Sequence, residues 1–380
     1  MPSDKIFITC AKGIVPFLKE EIQALGFPVH EEMAAGVATA GTLVDTMKLN
    51  LNLRTAQRVL YFLQEFHASS PDELYRALLK IKWEDYIPAE GYVNVSSVVR
   101  TETIKDTRFA NLKCKDAIVD RLKQKRGKRP DSGPARDRSA VFFHWQEDWC
   151  RIYLDTSGEA LYKRGYRRLH NIAPMQETLA AALVLASAWN VEKNFINPMC
   201  GSGTLAIEAA LLALNKAPGL LRSNFGFMHL HWYNAFEWNK LGKKAREATK
   251  KSLAGKIVAT DSDPKAVSAA RQNAIAAGVD RWIDFRVCDF AETPIPEGGG
   301  AVIMNPEYGE RMGKTAELEE TYGRIGDFFK QKCPGYTGYV FTGNLELAKK
   351  IGLQTKRRIP FYNGEIECRL LEYELYEGSK

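Results

Sequence analysis

Hydrophobic and polar positions along the chain alternate between two periods, and the order of the resulting elements predicts an α/β protein built in stages. The first stage runs from the apolar strand Ile6-Phe7-Ile8 through a helix over Val15 to Leu25, with Gly26 as its C-terminal cap. The Gly-punctuated segment Glu31 to Thr42 follows, and Leu43 to Phe62 reads as helical or mixed, with Arg54 and Arg58 on one face. A second stage opens with the capped helix Pro71 to Leu79 and continues through the alternating strand Tyr92 to Arg100. The amphipathic helix Phe109 to Lys125 comes next, then the strands Ala140 to Trp145 and Trp149 to Asp155 joined by a short polar turn.

The third stage has a different texture. Glu177 to Asn190 is apolar nearly all round, which predicts a helix buried between a sheet and its neighbours. Four strands then recur between helices: Phe195-Ile196, Lys256 to Asp261, Ile283 to Phe290 and Ala301 to Met304. A helix over Glu317 to Lys332, a strand over Tyr336 to Thr342 and a helix over Leu345 to Ile351 continue the sheet. The strands Lys356 to Tyr362 and Ile366 to Leu375 meet across Asn363-Gly364, a strong hairpin signal. The expectation is a doubly wound, mostly parallel sheet that ends in an antiparallel hairpin.

Four strand ends carry the candidate chemistry. The first leads into Asn197-Pro198-Met199-Cys200-Gly201-Ser202-Gly203-Thr204, a glycine turn whose following helix presents free N–H groups to a polar ligand. Gly201-x-Gly203-x-x-Ala206 also fits a loose dinucleotide fingerprint, but the strand-end acid Asp261 lies far beyond the roughly 20 residues a nicotinamide enzyme uses. Asp261 is placed to accept from a ribose diol, and Asp289 beside Phe290 suits an adenine amine and its face. The fourth strand runs into Asn305-Pro306-Glu307-Tyr308. An exocyclic amine is a poor nucleophile because its lone pair is delocalised into the base. The Asn305 oxygen, the Pro306 carbonyl and the Tyr308 ring could hold such an amine in line with a methyl sulfonium, with no metal or covalent intermediate required.

Composition narrows the partners. With 45% hydrophobic residues, mean hydropathy of -0.30 and no apolar run of spanning length, the 380-residue chain reads as an ordinary soluble protein. Its start, Met1-Pro2-Ser3-Asp4-Lys5, leads into nothing like a secretory signal, so a cytoplasmic setting is expected. Seven scattered cysteines with no C-x-x-C pair support neither a disulfide framework nor structural zinc. His229-x-His231 lacks a third ligand at metal spacing and is read as packing or substrate contact, as are the aromatics from Phe225 to Trp238. A net charge of +7 is compatible with a polyanion. On its own the basic run from Arg121 to Arg138 is a solvated face; beside an amine-methylating motif it becomes a phosphate track. Arg100, Arg108, Lys125, Arg126, Lys128 and Arg129 are its candidates.

Five motifs, Asp155-Thr156-Ser157-Gly158-Glu159, Lys163-Arg164-Gly165-Tyr166-Arg167, Ala173-Pro174-Met175-Gln176-Glu177, the glycine loop from Asn197 and Asn305-Pro306-Glu307-Tyr308-Gly309-Glu310-Arg311, stand in an order that resembles the THUMP-domain RNA guanine-N2 methyltransferases. The likeness covers nearly the whole chain and is greatest to the bacterial 23S ribosomal RNA branch. It implies a ferredoxin-like unit over 1–62, a THUMP RNA-binding module over 63–156, a linker over 157–172 and a class I, Rossmann-like methyltransferase domain over 173–380. It implies S-adenosylmethionine as cofactor, held by Asn197, Pro198, Gly201, Gly203, Thr204, Asp261, Asp289 and Phe290, with Gln176 near its methionine end. Arg164, Arg167 and Arg168 would contact RNA or form salt bridges to the catalytic domain. Two positions depart from the family: Asn197 stands where Asp is usual, and Glu307 where a second Pro is usual. The other expectations left open are a transfer RNA substrate, a DNA amino-methyltransferase and a non-catalytic RNA-binding or assembly protein.

Overall fold

Alternation in the N-terminal strands is read out on one eight-stranded sheet rather than on two. In a computed structural model that describes residues 5–88, 90–102, 104, 106–167, 175–308 and 315–376, this sheet comprises β1 (Lys5–Thr9), β2 (Val29–Met33), β3 (Gly36–Ala40), β4 (Arg58–His67), β5 (Tyr92–Arg100), β6 (Asp131–Ser132), β7 (Ser139–Gln146) and β8 (Trp149–Asp155). Its order is β2-β3-β1-β4-β8-β7-β5-β6. The expected module boundary at 62/63 falls inside β4, which pairs with β1 on one side and β8 on the other. The helices of this part are α1 (Val15–Ala24), α2 (Leu43–Asn52), α3 (Pro71–Lys80) and α4 (Thr107–Arg126). A Thr42–Asp45 capping box starts α2, and Ser70 with Pro71 starts α3, so both begin where side-chain acceptors meet the first free N–H groups. The core between α3, α4 and the sheet holds Trp83 and Trp145, whose indole N–H groups donate to the carbonyls of Leu78 and Ala68 at 2.9 Å each.

The motif at the end of β8 closes this sheet with a polar knot. Asp155 accepts from the Ser157 and Gly158 N–H groups at 3.0 and 3.1 Å and pairs with Arg58 from β4. The Ser157 hydroxyl donates to Asn50 Oδ1 at 2.6 Å and accepts from the Val59 N–H at 2.9 Å, while Asn50 Nδ2 donates to Thr156. Gly158 is required here: φ is +70°, and a Cβ would sit 2.7 Å from the Arg136 carbonyl.

Compactness divides the chain differently from the sequence. The first unit comprises residues 1–10, 18–161 and 222–244; the second comprises 11–17, 162–221 and 245–380. The aromatic stretch from Phe225 to Trp238 therefore belongs to the first unit, with Leu230 in the cluster around Trp83 and Trp145 and Trp232 packed against it. Backbone and side chains tie it there: Ser139 Oγ donates to the His229 carbonyl at 2.9 Å, and the His231 N–H donates to the Tyr86 carbonyl at 2.9 Å. His229 Nε2 lies 2.8 Å from Asn224 Oδ1.

In the second unit, α5 (Glu177–Ala186), β9 (Asn194–Asn197) and α6 (Thr204–Ala213) come first. After α7 (Ala235–Glu247), most of which belongs to the first unit, come β10 (Ile257–Asp261), α8 (Pro264–Ala277), β11 (Ile283–Val287), β12 (Gly300–Met304) and α9 (Thr315–Lys332). The chain finishes with β13 (Tyr336–Thr342), α10 (Leu345–Lys349), β14 (Arg357–Asn363) and β15 (Ile366–Glu374). The strand order is β11-β10-β9-β12-β13-β15-β14, parallel up to β13 and antiparallel through β15 and β14. The mixed sheet with a terminal hairpin is the class I methyltransferase arrangement the sequence implied. The chain moves outward from β9 to β11 and returns on the other side at β12. A crevice must open at the carboxyl ends of β9 and β12, where their loops part in opposite directions.

Candidate active site

That crevice is a cleft of about 560 Å³ whose lining comes from four strand ends: Met199 to Ser202 with Thr204, Asp261 to Asp263, Asp289 with Phe290, and Asn305 to Glu307. Met175, Leu318 and Thr321 complete it from outside the sheet. The topology thus brings together Gly201, Thr204, Asp261, Asp289, Phe290, Asn305 and Pro306, seven of the residues singled out in the sequence. The glycine loop is bent through the left-handed region at Met199, Gly201 and Gly203. Gly203 is needed for packing as well, since a Cβ there would lie 2.8 Å from Ala270 of α8. At Gly201 a Cβ would meet no protein atom within 4 Å, so that face of the loop is left clear for a ligand.

The acids are oriented by backbone donors. Asp261 accepts from the Gly201 N–H at 2.9 Å and the Asp263 N–H at 3.0 Å, which locks the β10 carboxylate to the glycine loop. Asp289 Oδ1 accepts from the Ala291 N–H at 2.9 Å and from Arg324 Nη2 at 2.6 Å. Burial alone would push the Asp289 carboxyl up, but the Arg324 guanidinium, with the Ala291 N–H, brings it below the usual carboxylate range. Burial pushes the Cys200 thiol well up, so no thiolate nucleophile stands at the loop.

Asn305, unlike the two acids, lacks such a partner. Its Oδ1 is buried and accepts no hydrogen bond among the described residues, although a buried amide oxygen without a partner costs about 1–3 kcal/mol. Pro306 is buried beside it, and Glu307 is exposed on the cleft wall. Tyr308 stands apart from the lining. Its ring meets Phe341 edge-on at 6.1 Å, and its hydroxyl accepts from Asn363 Nδ2 at 2.9 Å. Burial pushes the Tyr308 phenol up to about 12, so it stays protonated at neutral pH and is no base.

Four expected ligands, Asn197, Pro198, Gly203 and Gln176, are not among the residues that line the cleft. Asn197 is fully buried beneath the loop, and its Nδ2 donates to the Ile303 carbonyl of β12 at 2.9 Å. An ionised Asp, the family's usual residue, has no proton for that carbonyl; the amide suits a tie between β9 and β12. Pro198 and Gly203 are buried behind the cleft, and Gln176 starts α5 and lines a neighbouring cavity of about 410 Å³ that shares Met175 with it.

The structure corrects Arg164 as an RNA contact. It is 1% exposed, its Nε lies 3.6 Å from Glu208 of α6, and Tyr166 donates to the same carboxylate at 3.1 Å. Arg167 is also turned inward, donating to Glu177, Ser202, the Met175 carbonyl and Thr204 at 2.9–3.3 Å. It clamps the glycine loop to the start of α5. Arg168, Ala173, Pro174, Gly309, Glu310 and Arg311 lie outside the described residues. Lys125, Arg126, Lys128 and Arg129 are all exposed around the C-terminal cap of α4. Arg100 and Arg108 are exposed at the other end of that 20-residue helix, about 30 Å away. Arg108 pairs with Asp106, and Lys128 with Glu90. The six cations lie in two groups.

Arg324 was missed in the sequence. Its signal is weak: it sits three residues after Thr321 on a helix whose same face lines the cleft.

A mixed seven-stranded sheet with a glycine loop, two strand-end acids and an Asn-Pro turn at one crevice defines a class I methyltransferase. Residues 164–372 match the RMKL-like methyltransferase domain, residues 5–60 the RlmL ferredoxin-like domain and residues 68–155 the THUMP domain; the chain belongs to this RMKL-like methyltransferase family. It is 38% identical to the ribosomal RNA large subunit methyltransferase K/L of Syntrophotalea carbinolica over 98% of its own length and 54% of that protein. A Synechocystis protein described as a candidate RNA methyltransferase is 33% identical, with 97% of this chain and 96% of the relative covered. A methyltransferase candidate crystallised with S-adenosylhomocysteine superposes over the full length of both chains with a TM-score of 0.89 and 27% identity. The chain spans about half the length of the first curated relatives it matches.

Proposed function

We propose that the protein transfers a methyl group from S-adenosylmethionine to the exocyclic N2 amine of a guanosine in RNA, with 23S ribosomal RNA as the substrate and the cytoplasm as its setting. The observation that carries this reading is the buried, unpartnered Oδ1 of Asn305 on the wall of the cleft that also holds Asp261 and Asp289. The residues fit the cofactor: Asp261 is a fixed acceptor for a ribose diol, Asp289 for an adenine amine, and Gly201 leaves room beside the loop. When bound, the cofactor supplies an electrophilic methyl on a sulfonium.

Asn305 Oδ1 accepts one hydrogen of the target amine, and the Pro306 carbonyl accepts the other. Holding both hydrogens in these acceptors aims the nitrogen lone pair out of the base plane and stabilises the positive charge that develops there. As the N–C bond forms and the bond from the methyl to sulfur breaks, the nitrogen becomes cationic and then releases one proton to water; the Asn305 and Pro306 oxygens act as hydrogen-bond acceptors and take up no proton. The base leaves its stack to reach them. The Tyr308 ring, tied by Asn363 and Phe341, walls the turn rather than the cleft itself. The exposed cations at the end of α4 supply affinity for phosphates without reading sequence.

The test is transfer of labelled methyl to unmodified ribosomal RNA, transfer RNA and DNA, followed by nucleoside chromatography. Label in N2-methylguanosine from ribosomal RNA is the expected result. Label from transfer RNA alone moves the substrate to the sister branch, and label only in DNA bases overturns the RNA assignment. Cofactor binding without transfer to any of them supports a non-catalytic assembly role.

A further inference from the structure

Arg324 belongs to none of the motifs, yet it touches both cleft residues expected to meet the adenine end of the cofactor. Its Nη2 donates to Asp289 Oδ1 at 2.6 Å, and its Cζ lies 4.8 Å from the centre of the Phe290 ring. Phe290 is fixed in turn, 6% exposed with the edge of Phe328 against it at 6.1 Å. Thr321 and Leu318, about one and two turns earlier on α9, line the cleft. The guanidinium and the Ala291 N–H both fall on the same carboxylate oxygen. Two donors on Oδ1 fix the rotation of the Asp289 side chain, and Oδ2 is the oxygen left to read the ligand.

We propose that Arg324 is the positioning residue that makes Asp289 a fixed, ionised acceptor for an amino-substituted purine, and so sets the cofactor site's preference for adenine over a 6-oxo purine. The inference rests on the reading that the cleft takes the adenine of S-adenosylmethionine beside Asp289. The chemistry follows from donor and acceptor matching. An adenine amine donates to a carboxylate, whereas the O6 of hypoxanthine meets it with like charge. A carboxylate free to rotate, or to take up a proton when the base covers it, discriminates less, because a protonated acid can donate to O6. The cation–ring contact holds the positive charge beside the carboxylate it counters.

Calorimetric binding of S-adenosylhomocysteine and S-inosylhomocysteine to the full chain tests this without any turnover. The wild type should favour the adenosyl ligand. Arg324→Leu should weaken that ligand by roughly tenfold, the scale of one charge-assisted hydrogen bond, and weaken the inosyl ligand much less. Arg324→Lys should restore most of the ratio. An unchanged ratio in Arg324→Leu, whatever happens to its melting temperature, overturns the proposal and leaves Arg324 as a tether for α9. Asp289→Asn separates the two levels of the argument. If it leaves both affinities unchanged, the adenine reading of the cleft fails; if it collapses the ratio while Arg324→Leu does not, only the role of Arg324 fails.

Discussion

The knot at Asp155 and the cleft at Asn305 are built from the same materials, an acid, an amide, hydroxyls and a glycine turn, but they end in opposite states. In the knot, Asp155, Ser157, Asn50 and Thr156 find one another, and Arg58 neutralises the acid. In the cleft, Asp261 and Asp289 are oriented by backbone N–H groups and still face open space, and Asn305 Oδ1 accepts nothing among the described residues. A saturated polar network holds a fold together; an acceptor left without a partner on the wall of a cleft is open to a ligand. Motif strength in the sequence did not separate the two.

Breaking the knot should have the largest effect, on stability. Arg58→Met leaves Asp155 buried without its cation, at a cost of about 3–5 kcal/mol. Chemical denaturation should show the loss, and S-adenosylhomocysteine affinity of the remaining folded protein should be unchanged. The Arg164–Glu208 pair offers the same test in the other unit, where Arg164→Met should destabilise while leaving the salt dependence of RNA binding intact.

Disturbing the cleft should cost function and little stability. Asp261→Ala removes the acceptor for the ribose diol and should weaken S-adenosylhomocysteine about 10- to 100-fold by calorimetry, within the range of a hydrogen bond to a charged group. An affinity within twofold of wild type would remove Asp261 from the cofactor site.

The smallest effects should come from the exposed cations. Replacing Lys125, Arg126, Lys128 and Arg129 together by Ala should weaken RNA binding and flatten its salt dependence, by up to about 0.7–0.9 log units of slope for each phosphate no longer neutralised. The Arg100→Ala, Arg108→Ala pair, at the far end of α4, should change the slope independently of the four. Coupled changes in slope would mean a single track after all.

The mostly parallel sheet with its terminal hairpin, and seven of the residues that line the cleft, were legible in the sequence because strand period, glycine turns and strand-end acids are local signals, and topology then gathers them; the strand order itself was not. What was not legible depends on residues far apart in sequence. Residues 222–244 have the composition of an insertion, and nothing in their spacing tells that Leu230 completes the core around Trp83. Arg164 reads as a surface cation until Glu208, 44 positions later, meets it inside the fold. Asn197 looks like a ligand because it opens the glycine turn, yet it is buried outside the cleft lining and bonded to β12. Arg324 gave only helical spacing, since its meaning lies in Asp289, brought to it by the sheet.

The central claim, that the unpartnered oxygen of Asn305 is an acceptor for the target amine, is tested most directly by Asn305→Ala in single-turnover methyl transfer with S-adenosylhomocysteine affinity measured alongside. The account predicts a rate lower by about 10²- to 10³-fold, the usual cost of removing one preorganised hydrogen-bonding group, with cofactor affinity within about twofold of wild type. A variant that transfers methyl at the wild-type rate would contradict it.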